Sequence, residues 1–450
     1  MGFIYSLAVV LVLTERIIIQ CEGARGAWGT TFRDRLPNAQ LDNIKEKIVC
    51  ITDFRTIKCT ANCVKSLSED PLIAKILEER LIIIEKGFVN GFSENYYLGE
   101  TFLNFEDHLI LDEFLLEAGD QVKKIEIYVW NDIHKRMRQN IIKNYAENLE
   151  ELRIIVYDDE RFWEDILENG ITFPEVNKVQ ILGESSRKDF KLNLIFPTIT
   201  IFELYGRVAD VNCLKNVYTL NELTLHTDSI QEDQLEHIFQ NNQNLTKISL
   251  FKPQKRETKI WIATYLTELK TLKLESPCRK FLSKKYDGLV HELPNVENFD
   301  ISFSGSDSNF KSQNFTFAMP KLRKITLDTV ATDINRIIQF IITFEKLQIL
   351  EITLRKVESH EYDSDTFYHP YMFISLIKIL ESFDENLEFQ TLKFVNFPDG
   401  YYEVFEKTMK ERNIVLSSSG KPIWTSHAEQ FGIGKGYFML RRESLKSSKQ

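Results

Sequence analysis

Apolar residues recur along this chain in one six-residue spacing, apolar-x-x-apolar-x-apolar. Leu220, Leu223 and Leu225 carry it, then Leu245, Ile248 and Leu250, then Leu269, Leu272 and Leu274. Copies begin at Val122, Leu149, Val176, Ile199, Leu220, Leu245, Leu269, Val296, Leu322 and Leu347, in steps of 21 to 27 residues, and a weaker one follows at Phe389, Leu392 and Phe394. The last two apolar residues of each copy are two apart, the period of a strand with one buried face. One such strand cannot bury that face alone. The copies are therefore expected to stack as a parallel sheet in which each supplies its neighbours with core. Between copies the period changes to that of a helix: Leu235, Ile238 and Phe239; Ile334, Ile337, Ile338 and Ile341; Phe373, Leu376, Ile377 and Leu380.

A hexad of this kind repeated every 20–29 residues is the signature of a leucine-rich repeat solenoid. The expected fold class is α/β: a parallel sheet with a helical convex side over residues 122–397, preceded by a small helical unit. Residues 73–121 bridge that unit to the first copy, with Leu81–Ile84 as an early strand. Residues 398–450 read as a C-terminal cap and tail, with strands at NIVL and GYFML.

Composition narrows the function. The chain has 450 residues, is 43% hydrophobic and 27% charged, and carries a formal net charge of −10, a globular balance that disfavours nucleic acid as a partner. Its six cysteines, Cys21, Cys50, Cys59, Cys63, Cys213 and Cys278, form no CxxC pair, so no metal site or cofactor is expected. That sparse usage suits a reducing compartment, cytoplasm or nucleus. Pulling the other way, residues 1–30 hold an apolar leader, GFIYSLAVVLVL, of signal-peptide length with Gly23 at a plausible cleavage point. If residues 1–23 act as a signal peptide, the chain is secreted, and the sequons at Asn244 and Asn314 become relevant. No stretch is long enough for a stable membrane span.

In residues 36–72, Leu36, Leu41, Ile44 and Ile48 share one helical face, and Pro37 sits where a first turn tolerates it. Asp53 and Phe54 follow, then Leu67 and the pair Asp70–Pro71. This succession resembles an F-box. Gln40 and Lys45 stand where that family has apolar residues, and Val64 where Trp or Phe is usual. The resemblance implies that Leu36, Pro37, Leu41, Ile44, Ile48, Phe54 and Pro71 dock the Skp-type adaptor of a cullin–RING ubiquitin ligase, with the repeats holding a protein substrate. An F-box followed by leucine-rich repeats is a familiar architecture.

The position just after each hexad should face solvent from the sheet. It reads Tyr128, Ile155, Leu182, Tyr205, His226 and Phe251, then Glu275, Ser302, Asp328 and Thr353. The first six are the expected partner-binding column, because aromatic anchors dominate many interfaces. The loop ESHEYDSDTFYHP at 358–370 has metal-ligating residue types without ligand spacing and reads as a solvated acidic loop. GIGKG at 432–436 lacks phosphate-loop spacing and reads as a turn. No nucleophile–base arrangement stands out, so the chain reads as a binder and not an enzyme.

Overall fold

The strand of each hexad begins two residues after the hexad's first apolar residue. The computed structural model describes residues 122–129, 147–157, 166, 170–184, 191–206, 211–226, 232–283, 288–303, 315–330, 341, 343–344, 346–355, 389–395 and 407, and the backbone of strands at 51–53, 56–59, 81–86, 100–105, 424–430 and 436–442. The chain divides into two units: Met1–Ile155 with Phe173–Val176, and Val156–Thr172 with Asn177–Gln450.

The first unit holds β1 (Ile51–Asp53), β2 (Thr56–Cys59), β3 (Leu81–Lys86), β4 (Glu100–Phe105), β5 (Lys124–Val129) and the greater part of β6 (Glu151–Tyr157). β1 and β2 pair antiparallel, while β2 and β3 both run parallel to β4 and β3 runs parallel to β5. Residues 51–59 thus contain strands inside a span expected to be helical. The β-branched Ile51, Thr52, Thr56 and Ile57 favour that outcome. β3 covers the early strand expected at Leu81–Ile84. Glu126, only 2% exposed, meets Arg153 at 2.9 Å.

The second unit stacks β7 (Lys178–Glu184), β8 (Ile201–Tyr205), β9 (Glu222–His226), β10 (Lys247–Phe251), β11 (Thr271–Glu275), β13 (Asn298–Ser302), β15 (Lys324–Val330), β16 (Ile349–Arg355) and β17 (Thr391–Val395) in chain order, every neighbouring pair parallel. β12 (His291–Glu292) and β14 (Phe317–Ala318) form a separate parallel pair in the connections. β18 (Trp424–Gln430) and β19 (Gly436–Arg442) are antiparallel, and β19 pairs antiparallel with β17. β19 contains the expected GYFML strand; NIVL lies outside the described residues.

Register explains the hexad. Val179, Phe202, Leu223, Ile248, Leu272, Phe299, Ile325, Leu350 and Leu392 pair strand to strand as one inward column, every member wholly buried. Ile181, Leu204, Leu225, Leu250, Leu274, Ile301, Leu327 and Ile352 form a second. Burying each such side chain contributes roughly 1.5–3 kcal/mol. The first hexad residue makes a third buried column just ahead of the strands. A fourth, buried in every member but the half-buried Phe344, lies three residues earlier still: the N–H of Ile199, Leu245, Leu269, Val296, Leu322 and Leu347 donates to the carbonyl of Phe196, Asn242, Leu266, Leu293, Met319 and Phe344 respectively.

A single carbonyl also locks each rung to the next. Thr200 O accepts from Asn221 and Glu222, Asn221 O from Thr246 and Lys247, Thr246 O from Lys270 and Thr271, and the pattern runs on through Gln348 O to Gln390 and Thr391. Two N–H groups at each strand entrance are thereby satisfied at one place.

The connections carry short helices: α1 (Leu192–Ile195), α2 (Leu235–Asn241), α3 (Arg256–Tyr265) and α4 (Arg279–Leu282). α2 is the helix expected from Leu235, Ile238 and Phe239, all buried. Of the other two expected helices only Ile341 is described, helical and buried. The start of α3 is held from the connection one rung earlier, by the 3-10 turn Glu232–Gln234 ahead of α2. Glu232 is 7% exposed, and its carboxylate accepts from the N–H of Gln254 at 2.9 Å, the N–H of Lys255 at 3.0 Å and the Thr258 hydroxyl. Beside it, Asp233 lies 2.6 Å from the exposed Lys255 ammonium and holds the lysine above its ordinary pKa through that hydrogen bond.

The exits from β8, β10 and β11 carry positive φ. Gly206 has φ 131°, Lys252 47° and Ser276 48°. The N–H of Gly206 donates to His226 O, that of Lys252 to Glu275 O and that of Ser276 to Ser302 O. A Cβ on Gly206 would sit 2.1 Å from Gly183 O, whereas Gly170, at φ 62°, faces open space.

Two outcomes test this packing. Gly206→Ala should lower stability by several kcal/mol, since clash adds to backbone strain, while Gly170→Ala should cost only about 1 kcal/mol, read as shifts in urea midpoint. Glu232→Ala should cost about 1–3 kcal/mol by stranding buried donors at α3, and Asp233→Ala close to nothing by the same measurement.

Candidate functional site

Because alternate residues of a strand face opposite ways, burial of Leu223 and Leu225 forces Glu222, Thr224 and His226 outward. The sheet of the second unit therefore carries three outward columns. The one at the strand exits runs Leu182, Tyr205, His226, Phe251, Glu275, Ser302, Asp328, Thr353 in a single register, since the pairing of Leu225 with Leu250 sets His226 beside Phe251.

His226 is the centre of this site. Its imidazole lies flat on the Phe251 ring, with centroids 4.1 Å apart and planes 17° apart. Tyr205 flanks it on the other side at 5.8 Å, tilted by 30°. Parallel stacking at that distance places the histidine across the phenyl face and covers it. Reaching over Phe251, His226 Nδ1 comes within 3.1 Å of Glu275 Oε2. Lys273 Nζ holds the other carboxylate oxygen at 2.6 Å. Lys252 Nζ stands 4.7 Å from the Phe251 centroid, a cation–π contact.

A second carboxylate organises the opposite end. Glu203 Oε2 accepts from the Tyr205 hydroxyl at 3.2 Å and from Gln180 Nε2 at 3.1 Å. Lower on the same face Lys247 meets Glu222 at 2.8 Å. Further along, Glu351 stands between Lys324 at 3.6 Å and Lys393 at 3.2 Å. The face is thus a sheet of alternating charges with an aromatic stack in its first half. It offers donors, acceptors and ring edges to a partner.

The structure brings Leu182, Tyr205, His226 and Phe251 onto one sheet, as the hexad register implies. Ile155, half-buried, and Tyr128, whose side chain is not among those described, belong to β6 and β5 of the first unit. The column is not an open aromatic row, because His226 closes over Phe251. Among the adaptor-docking positions, Leu36, Pro37, Leu41, Ile44, Ile48, Phe54 and Pro71 all lie outside the described residues, as do the 358–370 loop and the side chains of Cys50, Cys59 and Cys63. Cys213, buried, and Cys278 are free thiols. Asn244 is exposed; Asn314 lies outside the described residues.

Glu203, Gln180 and Lys273 sit in the middle outward column, the residue between the two inward ones of each hexad. Reading that column beside the first would have found them. Among the described residues no helix is long and apolar enough to cross a membrane, and no three His, Cys, Asp or Glu side chains gather as metal ligands.

No protein-family model matches the chain, and a search of curated proteins finds no match.

Proposed function

We propose that the chain is a protein-binding adaptor built as a leucine-rich repeat solenoid, serving as the substrate-recognition subunit of a cullin–RING ubiquitin ligase. One observation carries the recognition half: an outward sheet face whose Tyr205–His226–Phe251 stack is tied to carboxylates through Tyr205 and His226. Rings held this way are fixed before a partner arrives, so little side-chain freedom remains to be lost on binding. In this reading the chemistry belongs to the ligase partners.

The ligase half rests on the resemblance of residues 36–72 to an F-box. The docking surface in this reading is Leu36, Pro37, Leu41, Ile44, Ile48, Phe54 and Pro71.

Co-expression of the full chain with a Skp-type adaptor should yield a stable complex on size-exclusion chromatography, and Leu41→Asp with Ile44→Asp should abolish it. Failure of the unaltered chain to form the complex refutes the ligase role and leaves the recognition face standing. For that face, a photo-crosslinking residue at Thr224 should capture one protein partner, which a crosslinker at Tyr218, 64% exposed, does not capture. Titration of that partner against His226→Ala or Lys273→Glu should show affinity reduced by roughly tenfold or more, as for truncation of an interface anchor. Unchanged affinity in both variants refutes the face.

A further inference from the structure

At the entrances of β15 and β16 two consecutive rungs present the same triplet geometry, Lys321-Leu322-Arg323 and Lys346-Leu347-Gln348. Leu322 and Leu347 turn into the core at 1% and 0% exposure. The residues on either side of them are thereby driven out. Lys321, Arg323 and Lys346 are exposed, Gln348 is half-buried, and the four line a cavity of ≈ 380 Å³. The corresponding positions of the preceding rungs are Thr219 and Asn221, Asn244 and Thr246, Glu268 and Lys270, Asn295 and Glu297. Only here do cations fill three positions of two adjacent rungs, in a chain whose net charge is −10.

The scaffold under the groove is rigid. Glu297 O accepts from the N–H groups of Arg323 and Lys324, and Arg323 O from those of Gln348 and Ile349, fixing the two rungs against each other. Lys321 Nζ is aimed by a 2.7 Å hydrogen bond to Asn295 Oδ1, which leaves two of its protons to donate elsewhere. Among the described residues the lining holds no carboxylate. Three like charges held together repel one another, and an arriving oxyanion relieves that repulsion.

We propose that this groove binds an oxyanion carried on a polypeptide, a phosphorylated or carboxylate side chain of a partner protein. Arg323 supplies the planar fork that takes two oxygens at once, Lys321 and Lys346 supply point charges, and Gln348 contributes an amide donor. The volume lies at the small end of ligand cavities and suits one anionic side chain with its neighbours. The strongly acidic chain disfavours a nucleic-acid strand, whose phosphates need an extended basic track. The site is separate from the Tyr205–His226–Phe251 face, so either can fail without the other.

The test is fluorescence anisotropy on the full chain with three labelled peptides of one sequence, bearing phosphoserine, glutamate or unmodified serine at the centre, and with inorganic pyrophosphate as competitor. The phosphoserine peptide, the glutamate peptide or both should bind, the serine peptide should not, and pyrophosphate should compete. Whichever peptide binds identifies the source of the oxyanion. Binding should fall roughly tenfold or more in Arg323→Glu/Lys346→Glu and clearly in Arg323→Lys, as loss of a bidentate contact requires. Lys215→Glu, at an exposed lysine in the connection after β8, should leave it unchanged, and circular dichroism should show all variants folded. Equal binding by the double variant, no binding by either anionic peptide, or tighter binding of a labelled single-stranded oligonucleotide would overturn the proposal.

Discussion

No rung of this protein can bury its own apolar face. Leu223 and Leu225 are covered because Phe202 and Leu204 lie on one side of them and Ile248 and Leu250 on the other. The dependence is mutual and runs from β7 to β17, so the core is a set of columns. Removing a side chain from one rung exposes its neighbours before it exposes anything distant. The backbone obeys the same rule, since the carbonyl ahead of each strand receives two N–H groups from the following rung and is useless without it. Stability in such an array is a sum of nearest-neighbour terms.

That arrangement is why the sheet was legible in the sequence and much else was not. The hexad encodes two strand positions and one entry position, and all three repeat strictly because every copy meets the same environment. The fourth column was harder to see because one member breaks it. Asn242 occupies a position that is apolar in the rungs around it. It remains 2% exposed because its side chain accepts from Leu220 N–H at 2.9 Å and donates to Val217 O and Ile238 O, at 2.8 and 2.9 Å. A buried amide with partners at both ends costs little, but its polarity hides the pattern. Connections varied more still. α3 was not read because its buried stripe includes Thr258 and Lys259 as well as Ile262. β1 and β2 are hidden by the helical spacing of Leu36, Leu41, Ile44 and Ile48, which runs up to their start.

The candidate site shows the complementary limit. Register fixes which residues face outward, so the membership of the Leu182–Phe251 column follows from spacing. It does not fix how neighbouring side chains settle against each other. An aromatic row read from spacing suggests an open apolar strip. In the folded chain a histidine between tyrosine and phenylalanine has a carboxylate within reach two strands further on, and Glu275 draws its ring across Phe251. The decisive residue belongs to the polar half of the column. A surface that looks adhesive in sequence therefore becomes a structured polar patch with rings inside it, which protects a long exposed sheet from unselective association.

The strand exits connect these two levels. Each outward column ends where the chain must turn away from the sheet and still satisfy the next rung. Gly206, Lys252 and Ser276 meet that demand in left-handed conformations, each giving its N–H to the carbonyl that ends the following strand. For Lys252 and Ser276 the conformation costs on the order of 1 kcal/mol, offset by a hydrogen bond made at the edge of the site. Gly206 has no such latitude, since Gly183 of the previous rung leaves it no room for a side chain. Glycine at both positions lets β7 and β8 approach closely just beside Leu182 and Tyr205, and the ring of Tyr205 is thereby held where its hydroxyl reaches Glu203. Backbone strain at the exits and side-chain order on the face are two consequences of one requirement: each turn must close against the next.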